Sequence, residues 1–184
     1  MTELVLALPG NESFADQLAR ELGVEQLPAE IRSFPDGESY VRLDGDCEGA
    51  NVFVVSTFDH PDSKFLRTVY TALCAREQGA AKVILVAPYL GYMRQDKAFK
   101  PGEAVTAHMF AEMLSPSIDG LITVDPHLHR IEMLDDIYSV PAFNVHAAPA
   151  IADWVAERVE TPVFVGPDVE STQWVSAVAA EVGA

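Results

Sequence analysis

No stretch of this 184-residue sequence is apolar over the ~20 residues needed to cross a bilayer as a helix, so a membrane-spanning role is not expected. Positive charge is scarce as well. Four lysines and eight arginines face 28 acidic residues, a formal net charge of −16. That balance argues against a nucleic-acid partner, because a phosphate backbone needs a basic surface. It leaves room for a small phosphorylated ligand held by a metal and a few local cations. A halophilic source and an ordinary acidic bacterial protein explain the acidity equally well. Cysteine is nearly absent: Cys47 and Cys74 form no CxxC pair and read as reduced structural thiols of a cytoplasmic protein. The first residues run into an apolar stretch with no basic segment before it, so no signal peptide is expected. The phosphate-cradling pattern GxxxxGK[ST] is missing, as is a GxGxxG after a strand, and neither GxSxG nor a Cys–His pairing suggests covalent acyl chemistry.

What is present is alternation. Leu4–Leu8, Val52–Ser56, Val83–Ala87, Leu121–Val124 and Val163–Val165 are short, apolar and rich in β-branched residues, as strands buried on both faces tend to be. Between them the spacing predicts helices over Ser13–Leu22, Ser63–Gln78, Glu103–Leu114 and Ala147–Val159. Asn11 is the expected N-cap of the first, Gly23 and Gly79 are plausible stops, and Pro149 falls in a first turn. Glu30–Ser33 and Tyr40–Leu43 read as a two-strand excursion around Pro35-Asp36-Gly37. The order implies an α/β fold with a mainly parallel sheet covered on both faces. A first domain is expected over residues 1–146, with 147–184 beginning a second α/β unit that has room for a helix, a strand and a further helix.

In open parallel sheets ligands collect beyond the carboxyl ends of strands. After Val83–Ala87, the residues Arg94, Lys97 and Lys100 gather three of the twelve basic side chains within seven positions. Such a cluster suits phosphate oxygens, although a solvated loop with incidental charge explains it equally well. After Leu121–Val124 come Asp125, His127 and His129. An acid and two imidazoles at i, i+2 on one side of an extended stretch can position a divalent metal, though an HxH is more often structural. His60, His108 and His146 have no such company and read as surface or packing residues. After Val163–Val165, Asp168 can hold a hard cation or cap the following helix. Phe34-Pro35-Asp36-Gly37-Glu38 is either a tight turn or an aromatic and two acids able to meet a purine; taken alone, the turn is the simpler reading.

Together three stretches resemble the ribose-phosphate pyrophosphokinases (phosphoribosyl pyrophosphate synthetases): Ser33-Phe34-Pro35-Asp36-Gly37-Glu38-Ser39-Tyr40-Val41-Arg42, Pro88-Tyr89-Leu90-Gly91-Tyr92-Met93-Arg94-Gln95-Asp96 and Thr123-Val124-Asp125-Pro126-His127. Each is weak alone; three in order and at the expected separations are specific. Lys100-Pro101-Gly102-Glu103 and the HxH look like the archaeal type. The resemblance implies a phosphoribosyltransferase-like three-layer fold followed by an incomplete second domain of the same type, with ATP bound between the two. It implies Phe34 stacked on adenine with Asp36, Gly37 and Glu38 beside it, serving a neighbouring subunit's site. Arg94, Gln95, Asp96 and Lys97 would hold the ATP phosphates and ribose. His127 and Asp168 would organise Mg²⁺, with Asp125 and His129 in support.

The implied reaction is Mg²⁺-dependent transfer of the β,γ-pyrophosphoryl group of ATP to the anomeric hydroxyl of ribose 5-phosphate, giving phosphoribosyl pyrophosphate and AMP. Such transfers need positioning and charge neutralisation rather than a covalent intermediate. The resemblance also implies a cytoplasmic homo-oligomer, built from dimers into a tetramer or hexamer. The family's basic catalytic loop and its ribose 5-phosphate loop match no segment here, so the catalytic residues are expected beyond Ala184 and the 184 residues alone are expected not to turn over. After Pro167-Asp168 the chain has Val169-Glu170-Ser171, where the family has small residues and glycines. A non-catalytic homologue acting as a regulatory or scaffolding subunit is the alternative from another class. A phosphoribosyltransferase is a third, but its acidic phosphoribosyl-binding motif is missing. The nucleotide reading requires positions 34–38, 94–97, 125–129 and 168 to converge.

Overall fold

Beyond their polar first residues, the strands at the centre of the chain's sheet run almost wholly apolar, as strands covered on both faces do. In the computed structural model, which describes residues 2–169 and 171–183, the chain runs β1 (Glu3–Ala7), α1 (Glu12–Leu22), β2 (Glu25–Gln26), β3 (Ala29–Ser33), β4 (Ser39–Leu43), β5 (Asn51–Val55), α2 (Pro61–Glu77), β6 (Lys82–Ala87), α3 (Thr106–Leu114), β7 (Gly120–Val124), β8 (Ala142–Val145), α4 (Ala148–Ala156) and α5 (Thr172–Val182). Six strands form one sheet in the order β2-β1-β5-β6-β7-β8, and β3 pairs with β4 in a separate antiparallel ribbon. The four pairings from β2 through β7 are parallel, with Leu4 beside Val52, Val52 beside Val83, and Leu85 beside Leu121.

Side chains alternate across a strand, so each strand feeds two cores. Leu4, Leu6, Val52, Val54, Val83 and Leu85 point to one face, where Ala72 and Ala75 of α2 and Phe110, Ala111 and Leu114 of α3 cover them. Val5, Val55 and Val86 point to the other and meet Ala15 and Ala19 of α1. This is the helix–sheet–helix sandwich expected from the alternation. Each fully buried Val or Leu contributes about 1.5–3 kcal/mol relative to exposure, which fixes the strand register firmly and leaves the loops beyond the strand ends free for chemistry.

Two compact units make up the chain, Met1–Asn144 and Val145–Ala184. In the second, α4 and α5 pack on each other, and Gly183 ends α5 in the left-handed conformation (φ 71°). The strand expected at Val163–Val165 does not form. Both valines are more than 85% exposed (87% and 86%), and no strand is assigned there among the described residues. A β-branched run becomes a strand only where a neighbour accepts its backbone hydrogen bonds.

Two further expectations change in the first unit. Asn11 precedes α1, but its side chain makes no capping bond. It is buried and its Oδ1 accepts the Thr57 amide at 2.9 Å, while Nδ2 donates to the Leu8 carbonyl at 3.3 Å. The tie between the loops after β1 and β5 takes the side chain away from the helix. The third helix starts at Thr106 rather than Glu103, because the Glu103 carboxylate accepts the amides of Phe99 (2.8 Å) and Lys100 (3.0 Å) and closes the loop before it.

Candidate functional site

Strands β5 and β6 lie side by side, so the loops that leave them are held against each other. The Phe58 amide donates to the Tyr89 carbonyl at 2.9 Å. Gly91 sits so close that an added Cβ would stand 2.8 Å from the Phe58 carbonyl oxygen and 3.0 Å from Pro61 Cβ. Beyond this junction opens a cleft of about 420 Å³, with Asp59, Tyr92, Arg94, Gln95, Phe99 and Thr106 on its walls. Arg94 is exposed and Gln95 half-buried. The Gln95 carbonyl accepts the Ala107 amide at 3.2 Å, which anchors that end of the loop to the start of α3.

Tyr92 takes a left-handed backbone (φ 64°), costly for an aromatic residue. Its hydroxyl donates to Asp62 and its ring leans on Phe110 with centroids 5.0 Å apart, contacts that hold it there. Asp59 was not singled out by the sequence, although it follows a strand end as the other candidates do. Lys64 donates to its carboxylate, and His60 Nδ1 lies 3.2 Å away. Lys64 chiefly, and His60 next, hold the Asp59 carboxyl down at about 2, below its ordinary 3.8. Phe99, Thr106 and Arg130 were also missed. Their signal lies only in the tertiary structure.

The neighbouring loop after β7 carries the second group of candidates. Asp125 is again left-handed (φ 39°), and its amide donates to Asn144 Oδ1 at 3.0 Å. The His127 and His129 rings stand side by side with centroids 6.0 Å apart, as an i, i+2 spacing predicts. Among the described residues no three His, Cys, Asp or Glu side chains gather into a metal cage. A magnesium ion that keeps its water shell and arrives on phosphate oxygens needs only one or two protein donors. Of these three side chains only Asp125 offers the oxygen donor such an ion favours; an imidazole is a nitrogen donor.

The two loops are joined directly. Arg130 Nη1 donates to both carboxylate oxygens of Asp96, at 2.9 and 3.2 Å, so positions 94–97 and 125–130 belong to one region. Asp96 is buried and is not on the cleft wall. Lys97 lies over the Phe99 ring, 5.2 Å from its centroid.

The turn 34–38 does not join them. It forms the exposed tip of the β3–β4 ribbon, with Gly37 at φ 95° and the Phe34 amide bonded to the Glu38 carbonyl at 2.8 Å. Phe34 meets Tyr40 edge-on at 5.7 Å, and Arg32 stacks over both rings. None of Phe34, Asp36, Gly37 and Glu38 lines the cleft of their own chain. In the second unit Asp168 accepts the Ser171 amide at 2.9 Å and its own carbonyl accepts the Ser171 hydroxyl at 2.6 Å, so it closes the turn ahead of α5. That is the local, cap-like role weighed from sequence.

Residues 4–117 match the N-terminal domain of ribose phosphate pyrophosphokinase. The chain belongs to the ribose-phosphate pyrophosphokinase family. It is 38% identical over 182 residues to the ribose-phosphate pyrophosphokinase of Methanopyrus kandleri, covering 98% of this chain and 62% of that one. To the Methanosarcina acetivorans ribose-phosphate pyrophosphokinase it is 34% identical over 180 residues, covering 97% and 61%. The archaeal flavour of Lys100–Glu103 and of the HxH agrees with these relatives. A crystal structure of phosphoribosylpyrophosphate synthetase from Mycobacterium smegmatis superposes with a TM-score of 0.88 at 24% identity, covering 100% of this chain and 62% of that chain, and it establishes the shared fold. The chain therefore spans about three-fifths of the length of these pyrophosphokinase relatives. The domain match takes in the ribbon and the Arg94 loop; the longer alignments extend past the His127 loop as well.

Proposed function

We propose that this chain is the nucleotide-side portion of a ribose-phosphate diphosphokinase. The observation that carries the reading is the cleft beyond β5 and β6, where Arg94 and Gln95 face open space in a protein whose net charge is −16. An arginine there offers a planar, bidentate donor to triphosphate oxygens, and Gln95 offers an amide to the nucleotide's ribose or phosphates. His127, with Asp125 and His129 beside it, is proposed to meet the Mg²⁺ that travels with ATP; Asp168, in the second unit, is proposed separately as a cation contact. When bound, Mg²⁺ would neutralise charge on the phosphoryl oxygens.

In the proposed reaction the anomeric oxygen of ribose 5-phosphate bonds to the β-phosphorus of ATP, and the bond from that phosphorus to the α,β-bridging oxygen breaks. AMP departs with the bridging oxygen, and the sugar hydroxyl gives up its proton. The residues of this chain orient the triphosphate. The groups that act on the sugar are proposed to lie outside these 184 residues. The exposed tip at Phe34, Asp36, Gly37 and Glu38 is proposed to meet adenine in a neighbouring subunit's site, in a dimer-based cytoplasmic oligomer. What supports that assignment is that the tip is exposed and lines no part of its own chain's cleft.

ATP labelled at the β-phosphorus tests the reaction in the protein that carries this chain. With ribose 5-phosphate present, the label is expected on the sugar and the nucleotide product is expected to be unlabelled AMP. Label recovered in ADP would contradict the proposal, because that product marks transfer of the γ-phosphoryl group alone.

A further inference from the structure

Asp96 sits two residues from Arg94, yet its side chain is wholly inaccessible (0%). A carboxylate so buried is tolerated only when a fixed cation answers it. Arg130 does so, with one nitrogen 2.9 and 3.2 Å from the two oxygens, and Arg130 lies three residues beyond His127 on the next loop. Phe99, a wall of the cleft, packs at the same junction, its ring centroid 5.7 Å from the Arg130 guanidinium and 5.2 Å from the Lys97 ammonium. Both joined loops carry a non-glycine residue in left-handed backbone, Tyr92 and Asp125, and such conformations persist only where the surroundings over-determine them.

We propose that Asp96 and Arg130 are a positioning pair. They fix the distance between the phosphate-gripping end of the site at Arg94 and the metal-facing end at His127, and neither touches the nucleotide. The proposal rests on the nucleotide reading above and goes beyond it, because it takes Asp96 out of the set of direct ATP contacts and adds Arg130. Supporting side chains of this kind hold the contacting ones within the narrow range that binding demands.

The test uses the chain with Asp96→Asn, Arg130→Met, both together, and Arg130→Lys. Hydrogen–deuterium exchange reads the loops without any ligand. Each single change is expected to speed exchange in both 94–104 and 126–131 while β1 and β5 stay protected; faster exchange in only one loop overturns the pairing. Calorimetric titration with ATP, with and without Mg²⁺, reads the consequence. Each single change is expected to weaken ATP about tenfold, equally in both conditions. The double variant should be no weaker than the worse single one, and Arg130→Lys should restore part of the loss. Independent losses that multiply in the double variant overturn the proposal, as does a loss for Asp96→Asn seen only with Mg²⁺, which would make Asp96 a direct metal contact. If the unaltered chain binds no ATP, the nucleotide reading falls and the positioning role with it, while exchange still decides whether the loops are tied.

Discussion

The backbone amide of Thr57 donates to Oδ1 of Asn11 at 2.9 Å, across 46 positions of sequence. One buried amide side chain thereby joins the carboxyl ends of β1 and β5, next to the strand pair that builds the cleft. Its two ends have different jobs: Oδ1 accepts, while Nδ2 donates to the carbonyls of Leu8 and Pro9.

Asn11→Asp separates this role from helix capping. At an N-cap, aspartate is as good as asparagine. Here the change replaces a donor by a second acceptor facing two carbonyls and buries a charge, so a loss of about 2–3 kcal/mol is expected. Urea unfolding with an unchanged slope measures it. A midpoint equal to that of the unaltered chain would contradict the tie.

Asp59 gives a pH-dependent signature. Its carboxyl is held at about 2 in the folded chain against 3.8 ordinarily, chiefly by Lys64. A carboxyl whose value falls on folding adds stability that is present above 3.8 and fades as the pH drops toward about 2. The half-exposed pair is screened by solvent, so the effect on stability is small and the titration itself is the better measure. Carbon-detected NMR should place the Asp59 midpoint near 2 and move it up toward 3.8 in Lys64→Met. A midpoint that stays put in that variant would remove Lys64 as the cause.

Much of the fold was open to reading from residue order alone, and the reason is physical. Val52–Ser56 and Val83–Ala87 are short, almost continuously apolar and rich in β-branched residues, the pattern of strands covered on both faces in a parallel sheet. The Pro35-Asp36-Gly37 turn was equally legible, since Gly37 needs its positive φ. What failed had its cause elsewhere in the molecule. Asn11 looks like a cap until Thr57 claims it; Glu103 looks like helix until the amides of Phe99 and Lys100 claim it; Val163 and Val165 look like a strand but pair with no strand among the described residues. For the site, Gln95 came only with the family resemblance, while Arg94 and the two histidines stood out by local composition. Asp59, Phe99 and Arg130 did not, because proximity across three loops leaves no local trace. That the ribbon tip lines no part of its own chain's cleft was likewise invisible in the sequence, because it is a property of the fold alone.

Gly91→Ala tests the close approach of the β5 and β6 loops. The new methyl would meet the Phe58 carbonyl and Pro61, a crowding expected to cost about 1–3 kcal/mol. The denaturation midpoint should fall accordingly. An unaltered midpoint would show that the loops yield.

His127→Ala addresses the metal. On the proposed reading, the Mg²⁺ concentration that half-saturates ATP binding should rise in this variant, while ATP binding without metal stays as it was. Identical Mg²⁺ dependence in the two proteins would take His127 out of the site.

The claim that the Arg94 cleft grips nucleotide phosphates is tested most directly by ATP affinity in the unaltered chain and in Arg94→Ala, measured by calorimetry under the same ionic conditions. A charged hydrogen-bond donor facing phosphate is worth about 1.5–3 kcal/mol, so the variant should bind about 10- to 100-fold more weakly. Equal affinity in the two proteins would contradict the account.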